Sequence, residues 1–194
     1  MNLPILSYGN RILRQTCEPI QSDHPNLNGL IENMWETLYG ANGCGLAAPQ
    51  IGEPIRLFVV DSKSSYDLLD PEIRHEYFES DDTGITETFI NARIINRFGE
   101  LWNDEEGCLS LPGLSQRVKR PWYIAIEYYN KNFEKQIGSF GGTTARIIQH
   151  EYDHTNGILY IDHLGPLVRR VIDTKLKKIA TGATTAKYPM VYPQ

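Results

Sequence analysis

The hexapeptide Gln149-His150-Glu151-Tyr152-Asp153-His154 constrains this chain more than any other segment. Read as helix, it sets His150 and His154 one turn apart on one face, because residues four apart are neighbours on a helix surface. Both imidazoles then reach a single metal ion, and Glu151 projects beside it, placed to take a proton from water. The stretch Ala145 to Asn156 carries this helix, with Thr143 or Thr144 as its cap and Gly157 as its stop. A catalytic site of this type takes three protein ligands and keeps one position open for water. Two histidines leave one ligand to be found.

The metzincin protease pattern would put a third His three residues after Gly157, but position 160 is Tyr160. His163 lies out of that register and reads as structural. The only acids downstream of the motif are Asp162 and Asp173, so a distal downstream Glu ligand is absent. The three cysteines are the next candidates. An odd, sparse set fits reduced thiols of a cytoplasm better than a disulfide framework. Cys17 reads as a small buried hydrophobe. Cys44, between two glycines, is open to either role. Cys108 lies in Glu106-Gly107-Cys108-Leu109-Ser110, a polar turn between expected strands. A thiolate with two imidazoles suits zinc or ferrous iron.

A chain of 194 residues is one domain, long enough to close a core without disulfides. Leu27, Leu30, Ile31, Met34 and Leu38 mark one face of a helix over about 25–38, with Asp23 or Asn26 as its cap and Gly40 and Gly43 at its end. A glycine-broken apolar stretch follows at 43–50, then a buried strand, Ile55 to Val60. Residues 62–86 are polar and acidic and read as a surface insertion. Strands are expected over Thr88 to Ile95, Trp122 to Tyr129 and Phe133 to Phe140, the last two as a hairpin. A final helix runs from about Pro166 to Ala180, and residues 165–194 form a C-terminal helix and extended tail. The order of elements predicts an α+β fold: antiparallel β-sheets packed around a central metal-binding helix, with a C-terminal helix.

A net charge of -5 argues against general nucleic-acid binding. No apolar run approaches the roughly 18–20 residues of a membrane span, and the N-terminus lacks the pattern of a signal peptide. These observations point to a soluble, cytoplasmic protein.

Three motifs in order resemble those of the peptide deformylase family: Gly43-Cys44-Gly45-Leu46-Ala47-Ala48-Pro49-Gln50, Glu106 to Ser110, and Gln149 to His154 with Gly157 behind it. The resemblance covers about residues 3–165. It implies Cys108, His150 and His154 as metal ligands, Glu151 as general base and then general acid, and Gln50 with the backbone N–H of Leu109 as the oxyanion site. It implies ferrous iron as the metal, with zinc, nickel or cobalt as substitutes, and N-formyl-methionyl nascent peptides as substrate, releasing formate. Gly45 is expected to bind substrate through its backbone. Cys44, Ile147 and Leu109 are expected to wall the methionine pocket, with Gly107 and Arg146 also at the substrate.

Softer expectations are an ion pair between Glu106 and Arg120, and Asp153 holding a ligand histidine by its free ring nitrogen. Thr155 stands where the family commonly has an apolar residue, and Cys44 where it often has a branched aliphatic one. The last helix carries Arg169, Arg170, Lys175, Lys177 and Lys178 against Asp173. A comparable helix touches the ribosome in some family members, which makes ribosome docking an expectation here too.

Overall fold

Five antiparallel strands carry the site. The computed structural model describes residues 2–193. The sheet runs in the order β2 (Gly45–Ala47), β3 (Leu57–Asp61), β4 (Thr86–Gly107), β5 (Ser115–Tyr129) and β6 (Lys135–Phe140). Its helices are α1 (Leu27–Gly40), α2 (Ser62–Leu68), α3 (Gly142–Thr155) and α4 (Pro166–Ala180). A separate parallel pair joins β1 (Ile5–Leu6) to β7 (Met190–Val191).

The sheet is covered on both faces, and β3 shows how. All five of its residues are buried. Successive side chains of a strand point to opposite faces. Leu57 and Val59 join Ile31, Met34 and Leu38 of α1 in one apolar cluster. Phe58 and Val60 join Phe89, Ile124, Ile126, Ala145 and Ile148 in another, between the sheet and α3. A strand buried on both sides reads as a near-continuous apolar run, and Leu57 to Val60 do, with Asp61 at the end as the cap of the next helix. A third cluster packs Ile172, Leu176 and Ile179 of α4 against Leu6, Leu13, Leu114 and Leu159.

The α+β architecture and the C-terminal helix match the sequence reading, as do the bounds of α4. Several details differ. The strand expected at 88–95 is the start of β4, which continues to Gly107 and pairs with β5 through three register shifts. Residues 95–101 of it are exposed, and the inward positions that follow include Asp104 and Glu106, so no apolar alternation marks it. β5 likewise begins at Ser115, not Trp122. The tail is stapled to β1 as β7.

Residues 62–86 are not merely a surface excursion. They contain α2, whose Asp61 cap accepts from the Ser64 N–H at 2.9 Å. Phe78 is buried. Glu79 accepts from the Trp122 indole and, at 2.8 Å, from the Tyr123 hydroxyl. The segment reaches α3 as well: Tyr77 O accepts from Thr143 N at 2.8 Å, and Asp82 accepts from the Thr144 hydroxyl at 2.9 Å. Thr144 therefore serves Asp82 and Ser62, and the residue at the head of α3 is Gly141, with no side-chain cap. Asn26 does precede α1, but in a left-handed conformation and without a capping hydrogen bond.

Candidate functional site

Helix α3 is polar in sequence yet buried along most of its length. Buried charge is tolerated only when paired and hydrogen-bonded, and here β4 and β5 supply the pairs. Glu106, near the end of β4, accepts from Arg120 Nε at 2.6 Å and Nη2 at 2.9 Å, and from Arg146 Nη1 at 2.6 Å. Its Oε2 also lies 3.1 Å from His150 Nδ1. Arg120 reaches on to Asp153 at 2.8 Å, and His163 Nε2 meets the same Asp153 oxygen at 2.8 Å. Two carboxylates thus face two guanidiniums. Burial alone would raise the Glu106 pKa, but hydrogen bonds from His150 and Arg120 outweigh it and hold the carboxyl well below its usual range.

This network places the Glu106–Arg120 pair where the sequence analysis put it and corrects the role of Asp153. The carboxylate on a candidate ligand histidine is Glu106, which occupies Nδ1 of His150 and leaves Nε2 for a metal. Asp153 is buried and serves Arg120 and His163 instead. Arg146 borders the cleft, but its Nη atoms bind Glu106, Val118 O and Trp102 O. Tyr160, which stands where a metzincin would have its histidine, lies 5.9 Å from the His150 ring in a stacked arrangement.

Where β4 ends, Cys108 O accepts from Leu111 N at 2.8 Å and turns the chain across the helix. Cys108, His150 and His154 then offer one ligand atom each, all within 4.8 Å of one another. The Cys108 sulfur is 3.3 Å from His154 Nε2. Burial and the neighbouring His150 push the His154 pKa well below its usual value. A soft thiolate with two imidazoles is a donor set for zinc or ferrous iron. These residues fit such an ion.

Gln50 is oriented at both ends. Its Oε1 accepts from Ala47 N at 2.8 Å, and its Nε2 donates to Ser110 Oγ at 3.3 Å and lies 3.5 Å from the Cys108 sulfur. Glu151 is only 4% exposed and its Oε2 has no hydrogen-bond partner among the described residues. Burial pushes its pKa up to about 7. The reason for Gly45 is now visible: a Cβ there would lie 2.5 Å from Glu151 Oε1. A side chain at 45 and a carboxylate in this position exclude each other.

A cleft of about 660 Å³ opens over these groups. Cys44, Gly45, Gln50, Gly107, Cys108, Leu109, Arg146, Ile147, His150 and Glu151 all border it, while His154 stands behind Cys108. Cys44 is exposed at its edge and Cys17 is buried elsewhere. Sequence reasoning missed Ser110, which anchors Gln50, and Tyr188, whose hydroxyl donates to Leu109 O at 2.8 Å from the tail. Ser110 was inside a quoted motif; Tyr188 carried no local signal.

Comparison with known proteins places the chain in a family. Residues 2–170 match the family model described as polypeptide deformylase. A peptide deformylase of Christiangramia forsetii is 42% identical over 193 residues, covering 100% of this chain and 97% of that relative. One from Flavobacterium johnsoniae is 44% identical, covering 99% and 96%. Among solved structures, the peptide deformylase of Thermus thermophilus superposes with a TM-score of 0.77 at 32% identity, covering 92% of this chain and 98% of that one. The Arabidopsis thaliana peptide deformylase 1B gives 0.78 at 29%, covering 93% and 92%. The chain belongs to the polypeptide deformylase family.

Proposed function

We propose that this protein is a metal-dependent hydrolase that removes the N-formyl group from the N-terminal formyl-methionine of newly made peptides and releases formate. The observation that carries the reading is the Cys108, His150, His154 set at the floor of a cleft, with the unpartnered Glu151 oxygen beside it. A divalent ion held by those three residues supplies Lewis-acid polarisation of water and of the formyl carbonyl.

The chain's own groups do the rest. Glu151, with a free oxygen in a buried pocket, accepts the proton of the attacking water and returns it to the leaving amine. The Gln50 amide and the Leu109 backbone N–H donate to the developing oxyanion. Loss of one such donor typically costs about 3–4 kcal/mol of transition-state stabilisation. Ile147, Cys44 and Leu109 wall the methionine side chain. The backbones of Gly45 and Gly107 flank the peptide, and Arg146 borders it while holding Glu106.

The resident ion of this reading is ferrous iron, with zinc, nickel and cobalt as substitutes. The reading also places the protein in the cytoplasm, where nascent formylated chains arise. Among the described residues, no helix is long and apolar enough to cross a membrane. Ribosome contact runs through the basic face of α4, where Arg169 pairs with Asp162 and Lys177 with Asp173. Reversing Arg170, Lys175 and Lys178 to Glu should abolish co-sedimentation with ribosomes; unchanged co-sedimentation rejects docking through this helix.

The competing reading of the same helix motif is a metallopeptidase that cuts internal bonds. A thiolate as third ligand favours the deformylase. Incubation with a formyl-methionyl peptide and its unformylated counterpart decides: formate from the first and no cleavage of the second supports the deformylase, and internal cleavage of either supports the peptidase.

A further inference from the structure

One residue that borders the cleft, Tyr188, comes from outside the residues matched by the family model, which end at 170. After α4 the chain crosses back and is stapled to the N-terminus: Ile5 N donates to Pro189 O and Ser7 N to Val191 O, both at 2.9 Å, and Asn10 Nδ2 donates to Val191 O at 3.1 Å. Tyr188 immediately precedes this staple. A residue before proline is confined to extended backbone, so Pro189 fixes the direction from which Tyr188 arrives. Its ring packs in the same cluster as Leu109 and Leu38 and borders the cleft. Its hydroxyl donates to Leu109 O at 2.8 Å. Burial pushes its ionisation up to about 12, so the group is a donor at neutral pH.

Leu109 sits in the turn that bears Cys108. The turn has further anchors on Ser110: its carbonyl accepts from Tyr8 N at 2.8 Å, and its hydroxyl accepts from Gln50 at 3.3 Å. We propose that Tyr188 is a positioning residue for the reaction: its O–H holds the Leu109–Ser110 peptide, the Leu111 N–H holds the adjoining Cys108–Leu109 peptide that carries the Leu109 N–H, and the two bonds together steady the turn that presents this donor, while the Tyr188 ring lines the cleft. The role in turnover rests on the deformylase reading. The role in ordering the turn rests on the hydrogen bond alone.

Tyr188→Phe removes the hydroxyl and keeps the ring, and Tyr192→Phe serves as a control for unspecific effects on the tail. Both are compared with the wild type in steady-state formate release from a formyl-methionyl peptide, in metal content and in residue-resolved amide hydrogen exchange. One neutral hydrogen bond supports a fall in kcat of about threefold to tenfold for Tyr188→Phe. Its KM and metal content should stay near wild type, and exchange should accelerate at residues 109–111 alone. Wild-type kcat together with wild-type exchange in the turn overturns the proposal. So does acceleration throughout the core, which would make Tyr188 merely structural, or a rise in KM with kcat unchanged, which would leave only the wall. If the wild type with its metal releases no formate, the functional reading fails, and exchange at 109–111 still decides whether Tyr188 orders the turn.

Discussion

At Gly45 the close approach is to the far end of a flexible side chain, and this separates activity from stability. A Cβ at Gly45 would lie 2.5 Å from Glu151 Oε1 and 2.8 Å from its Cδ and Cγ, so Gly45→Ala forces the Glu151 side chain aside. We expect turnover to fall at least about a hundredfold, the scale of losing a positioned proton-transfer group, with metal content and melting temperature close to wild type. A melting temperature lowered as much as the activity would show that Gly45 serves the fold instead. Glu151→Gln should likewise keep metal and lose turnover, whereas Cys108→Ala should release the metal, both read by metal analysis beside the formate assay. The residues of the site were legible because the helix motif, the cysteine turn and the Gly-Gln stretch each lie within a short window. The partner of His150 was not: Glu106 lies 44 residues away, on strand β4. Asp153, the nearer carboxylate in sequence, is drawn off by Arg120 and His163.

Helix α3 owes its position to the acidic segment before it as much as to the sheet beneath. Gly142 has φ +52, and a Cβ there would collide with the Tyr77 carbonyl oxygen. Gly142→Ala therefore combines a left-handed alanine with a backbone clash and should cost at least about 2 kcal/mol in chemical denaturation. Gly165→Ala, where a Cβ meets nothing within 4 Å, should leave stability nearly unchanged. Equal midpoints for the two variants would contradict the docking of residues 62–86 on α3. Sequence periodicity found α1 and α4 because each buries one stripe, and it found the core half of β4. It stopped where β4 and β5 leave the apolar core: residues 95–101 are exposed, and the inward positions beyond them include the charged Glu106 and Arg120, which no apolar alternation marks. The contacts of the acidic segment escape sequence patterning for a related reason: they are single side chains, Phe78, Glu79 and Asp82, set among more exposed neighbours.

Across the whole molecule, charge ties the ends of the chain to the middle. Asp162 binds Arg14, accepts from Leu159 N at 2.8 Å and lies 3.4 Å from Arg169. Burial would raise its pKa, yet these partners hold it below the usual carboxylate value. A carboxyl with a depressed folded pKa adds stability above its unfolded value of about 3.9 and loses it as pH falls through the folded value. The stability gap between wild type and Asp162→Asn should thus be constant near neutral pH and close below about pH 4; a gap independent of pH would contradict the pairing. The buried Glu106, Arg120, Arg146 and Asp153 group weighs more. Removing one member leaves an unpaired buried charge, so Glu106→Ala should destabilise by about 3–5 kcal/mol and also free His150, lowering metal retention on dialysis. Retained stability with retained metal would contradict that link. The most direct test of the account as a whole is formate release from a formyl-methionyl peptide by anaerobically purified protein, with metal measured on the same sample. The account predicts one divalent ion per chain and catalytic formate release that disappears with a chelator; a fully metal-loaded protein that releases no formate would contradict it.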